Sequence, residues 1–162
     1  MPKRSAGLLL YKIEAGALRV LLVHPGGPFW RNKDEGAWTI PKGEIGDGED
    51  ALAAARREFR EETGHDALGD ALALTQVKQA GGKIVAAWAV EGDLDADAIV
   101  SNSFEMEWPP RSGRRQSFPE IDRAQWFGLA DARVRINAAQ APLLDELESL
   151  AARSMPPVSK NA

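Results

Sequence analysis

The chain has no cysteine, only two histidines and a single tyrosine among its 162 residues. Without cysteine there are no disulfides and no thiol chemistry, and a cytoplasmic setting is the natural expectation. His24 and His65 stand far apart in sequence, so nothing suggests the Cys or clustered His ligands of a zinc centre. No apolar run approaches the roughly 20 residues of a membrane-spanning helix. The opening MPKRSAGLLLYKIE breaks at Lys12 with no small-residue cleavage site behind it, so no signal peptide is expected. Excess positive charge is missing too. Lys and Arg number 20 against 24 Asp and Glu, a net charge of −4, which argues against a broad basic face gripping nucleic-acid backbone. What remains is 44% hydrophobic content and five tryptophans, enough for one domain with a sizeable core, expected over residues 1–153 with a flexible tail over 154–162.

The chemistry-bearing residues concentrate in one stretch. From Gly43 to Gly64, GEIGDGEDALAAARREFREETG, seven carboxylates and three arginines crowd into a helix and its approach loop. Asp47-Gly48-Glu49-Asp50 offers short acidic residues to the amide groups a helix start leaves unpaired, and Gly64 tolerates a left-handed turn, so a helix is expected from about Glu49 to Thr63. At roughly 100° per residue, with Glu58 at zero, Glu62 falls at about +40° and Glu61 at about −60°. All three carboxylates share one face. Leu52, Ala55 and Phe59 form an adjoining apolar stripe that can pack on a sheet, while Ala51 and Ala54 continue the acidic face with little bulk. Clustered carboxylates either protonate or gather round a divalent cation, and hard oxygen ligands suit Mg²⁺ or Mn²⁺. A solvated helix with ordinary surface ion pairs would show the same local cluster. Arg57 stands in the i,i+4 relation that lets a guanidinium orient Glu61.

The wider spacing is more specific. Gly43, five residues, Glu49, seven residues, then Arg57-Glu58-Phe59-Arg60-Glu61-Glu62-Thr63-Gly64 resembles the signature of the Nudix hydrolases, GX5EX7REUXEEXGU with U a bulky aliphatic residue. Every charged and glycine position is filled; Phe59 is aromatic rather than aliphatic, and His65 departs from the aliphatic residue after the glycine. The resemblance implies an α/β protein, an αβα sandwich with a central mixed β-sheet. It implies Mg²⁺, or Mn²⁺, held by Glu58, Glu61, Glu62 and the backbone carbonyl of Gly43. The implied reaction is hydrolysis of a pyrophosphate bond in a nucleoside diphosphate linked to a further group X, such as an NTP or a dinucleoside polyphosphate. Glu61 and Arg57 belong to the expected catalytic set, with Arg57 as orienting cation. Many relatives carry a further Glu in a loop before the last strand, and Glu120 stands where such a base would be. Glu49, at about 180° from Glu58 on the wheel, is expected to play a weaker role, through water or in anchoring the loop. Two alternatives stay open: a Nudix-fold module that binds a nucleotide without cleaving it, and a pyrophosphohydrolase acting on RNA caps, for which only Arg111, Arg114 and Arg115 speak.

Around this centre, Ser5 to Ile13 and Leu18 to Val23 read as a hairpin turning at Glu14 to Ala17. His24 to Gly36 is a loop rich in Gly and Pro. There Trp30, Arg31 and Lys33 are candidates for substrate binding, joined by Lys42 in the lead-in Trp38-Thr39-Ile40-Pro41-Lys42; Trp30 and Trp38 are both candidate base-stacking surfaces. Ala71 to Ala80 and Lys83 to Val90 flank Gly81-Gly82, a strong hairpin signal. Ile99 to Glu107 is expected to be a strand, Pro109 to Pro119 a basic loop, and Arg123 to Leu129 a short strand. Helical turns near Ala130 to Arg135 and an amphipathic helix from Asn137 or Ala141 to Ala152 close the domain.

Overall fold

The computed structural model describes residues 3–154; apart from Ser154, the expected tail lies outside the described residues. Strands β1 (Arg4–Glu14) and β2 (Ala17–Pro25) form the opening hairpin. Then follow β3 (Lys42–Glu44), α1 (Ala51–Thr63), β4 (Ala71–Ala73), β5 (Val77–Lys78), β6 (Ile84–Glu91), β7 (Ser103–Glu107), β8 (Arg115–Pro119), β9 (Ile121–Gly128), α2 (Leu129–Arg135) and α3 (Ala141–Ser154). The main sheet runs β4-β6-β1-β2-β9, with β3 paired to β1 and β5 to β6. β1 and β6 are parallel and the remaining pairs antiparallel, so the sheet is mixed.

Side chains alternate across the two faces of this sheet, as strand geometry requires. Leu9, Val20, Leu22, Val85 and Ala87 face α2 and α3, burying Leu143, Leu144 and Leu147. Ala6, Leu8, Leu10, Leu21 and Val90 face α1, burying Ala54, Ala55 and Phe59. The result is the expected αβα sandwich. No helix among the described residues is long and apolar enough to cross a membrane.

One irregularity of β1 positions the site. Tyr11 to Glu14 pair with β2, whereas Ser5 to Gly7 pair with β3. The lead-in enters where β2 leaves: Val23 and Thr39 exchange backbone hydrogen bonds at 2.9 and 3.0 Å, and the Leu8 N–H donates to Pro41 O at 3.1 Å. Gly7 permits this crossing, since a Cβ there would lie 2.8 Å from the Pro41 oxygen.

Ser5, on the same strand, is fully buried, and its hydroxyl finds no hydrogen-bond partner among the described residues. A buried unpaired hydroxyl costs about 1–3 kcal/mol. Ser5→Ala is therefore expected to raise the midpoint of chemical denaturation by about 1 kcal/mol in stability; a lower midpoint would mean that the hydroxyl has a partner.

Three expectations are corrected. The single strand over Ala71 to Ala80 is two short pieces, because between them Thr75 gives its N–H to the Glu146 carboxylate of α3 at 2.8 Å instead of to the sheet. The strand expected from Ile99 starts only at Ser103, since the Val100 and Asn102 N–H groups are spent on the α1 carbonyls of Thr63 and Glu61. The loop expected over Pro109 to Pro119 contains β8, which pairs with β7 as a separate two-stranded sheet.

Candidate active site

α1 starts at Ala51, two residues later than the acidic run suggested. Asp50 is the N-cap, accepting from the Ala53 N–H at 3.1 Å, and Glu49 is held in the preceding turn by the Gly46 N–H at 2.9 Å. At the other end Gly64 adopts φ +77°, and a Cβ there would also meet the Val100 carbonyl oxygen at 2.9 Å. Only glycine meets both demands.

The helix presents Glu58, Glu61 and Glu62 towards β3. Gly43 packs so tightly on Glu58 that a Cβ would fall 2.1 Å from the carboxylate carbon. Glu62 is 8% exposed and accepts from the Lys42 N–H at 3.2 Å. Arg57 is the hub. Its Nε and Nη2 donate to the two carboxylate oxygens of Glu49 at 2.8 and 2.9 Å, Nη1 to Glu58 at 2.9 Å and Glu61 at 3.1 Å, and Nη2 also to Glu44 O at 3.1 Å. One planar guanidinium thus fixes the approach loop against the carboxylate face. Of the two roles left open for Glu49, these bonds give it the anchoring of the loop, from the turn before the helix and not from the helix itself.

A chain of backbone hydrogen bonds brings in Glu120. The Asn102 N–H donates to Glu61 O, the Glu120 N–H to Asn102 O, and the Gly26 N–H to Glu120 O, at 2.9, 2.8 and 2.8 Å. His24 reinforces it from a fully buried position. Its Nε2 lies 2.7 Å from the Lys33 carbonyl oxygen and must donate to it, while Nδ1 lies 2.8 Å from the Asp122 carboxylate. That imidazole ties the loop after β2 to the strand following Glu120.

Electrostatics follow from this crowding. Burial pushes the Glu62 carboxyl up to about 8, with the charges of Glu58 and Glu120 acting in the same direction. Glu58 is raised by burial and by Glu61 and Glu120, against the opposing pull of Arg57. Glu120 is raised by burial and by Glu61. Glu49 goes the other way, held at about 2 by its hydrogen bonds to Arg57 and Gly46. Lys42 is lowered by burial and by Lys83, although Glu62 and Glu58 favour its charge.

The donor set suits a hard divalent cation: three carboxylates on one helix face, a fourth from Glu120, and a glycine where any side chain would collide with Glu58. Among the described residues no three carboxylate or imidazole groups meet as a closed ligand set. In the chain alone, Glu58 and Glu61 turn to Arg57, and Glu62 to the Lys42 amide.

The remaining expected residues divide. Lys42 and Trp30 line a cavity of about 150 Å³ with Thr39, Gln79, Asn137 and Gln140. Lys33 lies with Nζ 5.1 Å from the Trp30 ring centroid, and Arg31 is exposed without an ion pair among the described residues. Trp38 is not a stacking surface. It is 1% exposed, edge-on to Phe127 at 5.0 Å, with its indole N–H on Asp34. Ala54 likewise lies in the core beside Phe59 and not on the open acidic face. Gln79, Asn137 and Gln140 escaped the sequence reading because no local pattern marks Gln79 and Gln140, 61 residues apart, as neighbours.

Fold and site together define a class, αβα sandwiches that carry a row of carboxylates on one helix beside a glycine of the neighbouring strand. The NUDIX domain model matches residues 1–147, and the chain belongs to that family. Among solved structures it is similar to the Ap4A hydrolase of C. elegans in a binary complex, at 24% identity and TM-score 0.63 over 92% of this chain and 98% of that one. A mutT/nudix family protein from Listeria innocua aligns at 18% identity and TM-score 0.63, covering 94% and 96%. The NUDIX domain of Shewanella oneidensis NrtR, complexed with ADP ribose, aligns at 16% and TM-score 0.61, covering 93% and 89%. No curated protein sequence matches the chain.

Proposed function

We propose that the chain hydrolyses the pyrophosphate bond of a nucleoside diphosphate linked to a further group X, with Mg²⁺, or Mn²⁺ in its place, held by Glu58, Glu61, Glu62 and the Gly43 carbonyl. The observation that carries this reading is the packing of the Glu58 carboxylate on Gly43, clamped by Arg57 beside the buried Glu62. A divalent ion bound there neutralises the diphosphate, polarises a phosphoryl oxygen and lowers the pKa of an attacking water. The protein's part is positioning and charge. Arg57 keeps Glu58 and Glu61 in register with the loop. Glu120, with its raised proton affinity, takes the proton from water. Lys42 and Trp30 hold the nucleotide, Trp30 through its exposed ring and Lys42 through its charge, in the cavity that Gln79 and Asn137 also line.

Glu120→Gln is expected to lower kcat by about 10²-fold with little change in KM, and to remove the acidic limb of the pH–rate profile. Unchanged turnover together with unchanged metal affinity would take Glu120 out of the mechanism.

A second reading is a module of this fold that binds a nucleotide without cleaving it, and ADP-ribose, the compound complexed with the NrtR domain of similar fold, is a ligand to try for it. Both readings are tested by chromatography of products from NTPs, dinucleoside polyphosphates, ADP-ribose and NADH, each incubated with and without Mg²⁺. The hydrolase reading expects metal-dependent cleavage of at least one. Tight binding of one compound with cleavage of none would establish the module instead.

A further inference from the structure

Beside the site stands a surface that neither the proposed metal centre nor the nucleotide cavity uses. Phe29, on the loop after β2, is 60% exposed. Phe29 meets Trp108 edge-to-face, with centroids 5.5 Å apart. Trp108 sits at the tip of the β7–β8 hairpin, its N–H donating to Arg114 O at 2.9 Å. The hairpin is seated on the same loop, since the Phe104 ring packs where a Cβ of Gly27 would lie at 3.0 Å. Two elements distant in sequence therefore bring aromatic rings together at a surface and leave one of them largely in water.

Charge at this surface is opposite to that of the chain. Arg111 and Arg114 on the hairpin tip are exposed and form no ion pair among the described residues, although the net charge is −4. Arg115 is paired with Glu105 at 3.7 Å, and Glu107 is exposed on the same strand. The two unpaired guanidinium groups remain available to an anion. The surface is also coupled to the chemistry: β8 ends at Pro119, immediately before Glu120, and the loop is bonded to Glu120 O through Gly26.

We propose that the hairpin tip and the Phe29 loop form a platform for the distal end of the substrate, an aromatic ring carried on phosphate such as the second nucleoside of a dinucleoside polyphosphate. Phe29 and Trp108 supply the stacking faces, and Arg111 and Arg114 meet the outer phosphates. This rests on the hydrolase reading above and names the X group that reading leaves open. On this reading a mononucleotide, which has no second ring, gains nothing from the platform.

The test compares diadenosine tetraphosphate with ATP, using the full chain and Mg²⁺, for wild type, Phe29→Ala/Trp108→Ala and Arg111→Ala/Arg114→Ala. Stacking on a single aromatic side chain is worth about tenfold or more in affinity. Each double variant is expected to raise KM for the tetraphosphate by about tenfold, at unchanged kcat, while kcat/KM for ATP moves by less than about twofold. Phe29→Leu, which keeps apolar volume but loses the ring, should repeat the KM effect in a protein of wild-type thermal stability. Equal losses on both substrates, or none on either, would overturn the platform, as would a KM effect confined to 5′-triphosphorylated RNA. If wild type cleaves neither compound, the hydrolase reading has failed separately. Calorimetric binding of the tetraphosphate then decides the platform: about tenfold weaker binding to the variants supports it, and equal binding removes it.

Discussion

Glu62→Gln is expected to lower kcat by about a thousandfold and, at the same time, to stabilise the metal-free protein above neutral pH. The first effect follows from removing one hard anionic oxygen from the set proposed to hold the ion, whose charge stabilisation would be worth several kcal/mol, or about a thousandfold in rate. The second follows from burial. Glu62 is 8% exposed, and its carboxyl is pushed up from 4.5 to about 8. The folded state then keeps a proton that the unfolded chain releases, so stability falls as pH rises from about 4.5 to about 8 and is level above, by at most about 1.4 kcal/mol per pH unit. Glutamine carries no such charge and still accepts from the Lys42 N–H. The stability advantage of the variant should be small near pH 5 and largest from pH 8. Adding Mg²⁺ should reverse the order, because wild type gains the ion and the variant does not. Thermal melts with a chelator at several pH values check this; a variant less stable than wild type at pH 8 would contradict it.

Arg57→Lys is expected to lower kcat by about a hundredfold, nearly as much as Arg57→Ala. Lysine conserves charge but cannot engage both oxygens of Glu49 while donating to Glu58, Glu61 and the Glu44 carbonyl. Without the fork, Glu58 and Glu61 lose their common reference and the approach loop is released from the helix. Glu49 should report this directly: its carboxyl, held at about 2 by Arg57 and the Gly46 N–H, should titrate closer to the ordinary range of about 4.3 in a ¹³C-detected NMR titration. Wild-type kcat in the lysine variant would show that charge alone suffices.

The parts of this arrangement legible in sequence are those that local geometry dictates. Gly64 ends α1 as expected, the acidic run Asp47 to Asp50 marks its start to within two residues, and the wheel angles separate Phe59 in the core from the carboxylates. Gly43 was legible through spacing, but the reason it is glycine was not, because that depends on where the Glu58 carboxylate comes to rest. Glu120 came from its place before the last strand, while its tether through Asn102 depends on pairings no local pattern encodes. The β7–β8 hairpin was missed for a related reason. Arg115-Gln116-Ser117-Phe118-Pro119 is charged, polar and proline-terminated, and becomes a strand only because β7 lies opposite it in register. Trp38, in the lead-in to the motif, could have been a stacking surface or a core side chain, and Phe127, His24 and Asp34 enclose it in the core.

The most direct test of the central claim, that the carboxylate face of α1 against Gly43 is a metal-dependent phosphoanhydride-cleaving centre, is a ³¹P NMR time course of diadenosine tetraphosphate with the protein, first with Mg²⁺ and then after excess chelator. Terminal phosphate signals should grow while the metal is present, stop on chelation, and be absent for Glu62→Gln. Growth that continues after chelation, or that is undiminished in the variant, would contradict it.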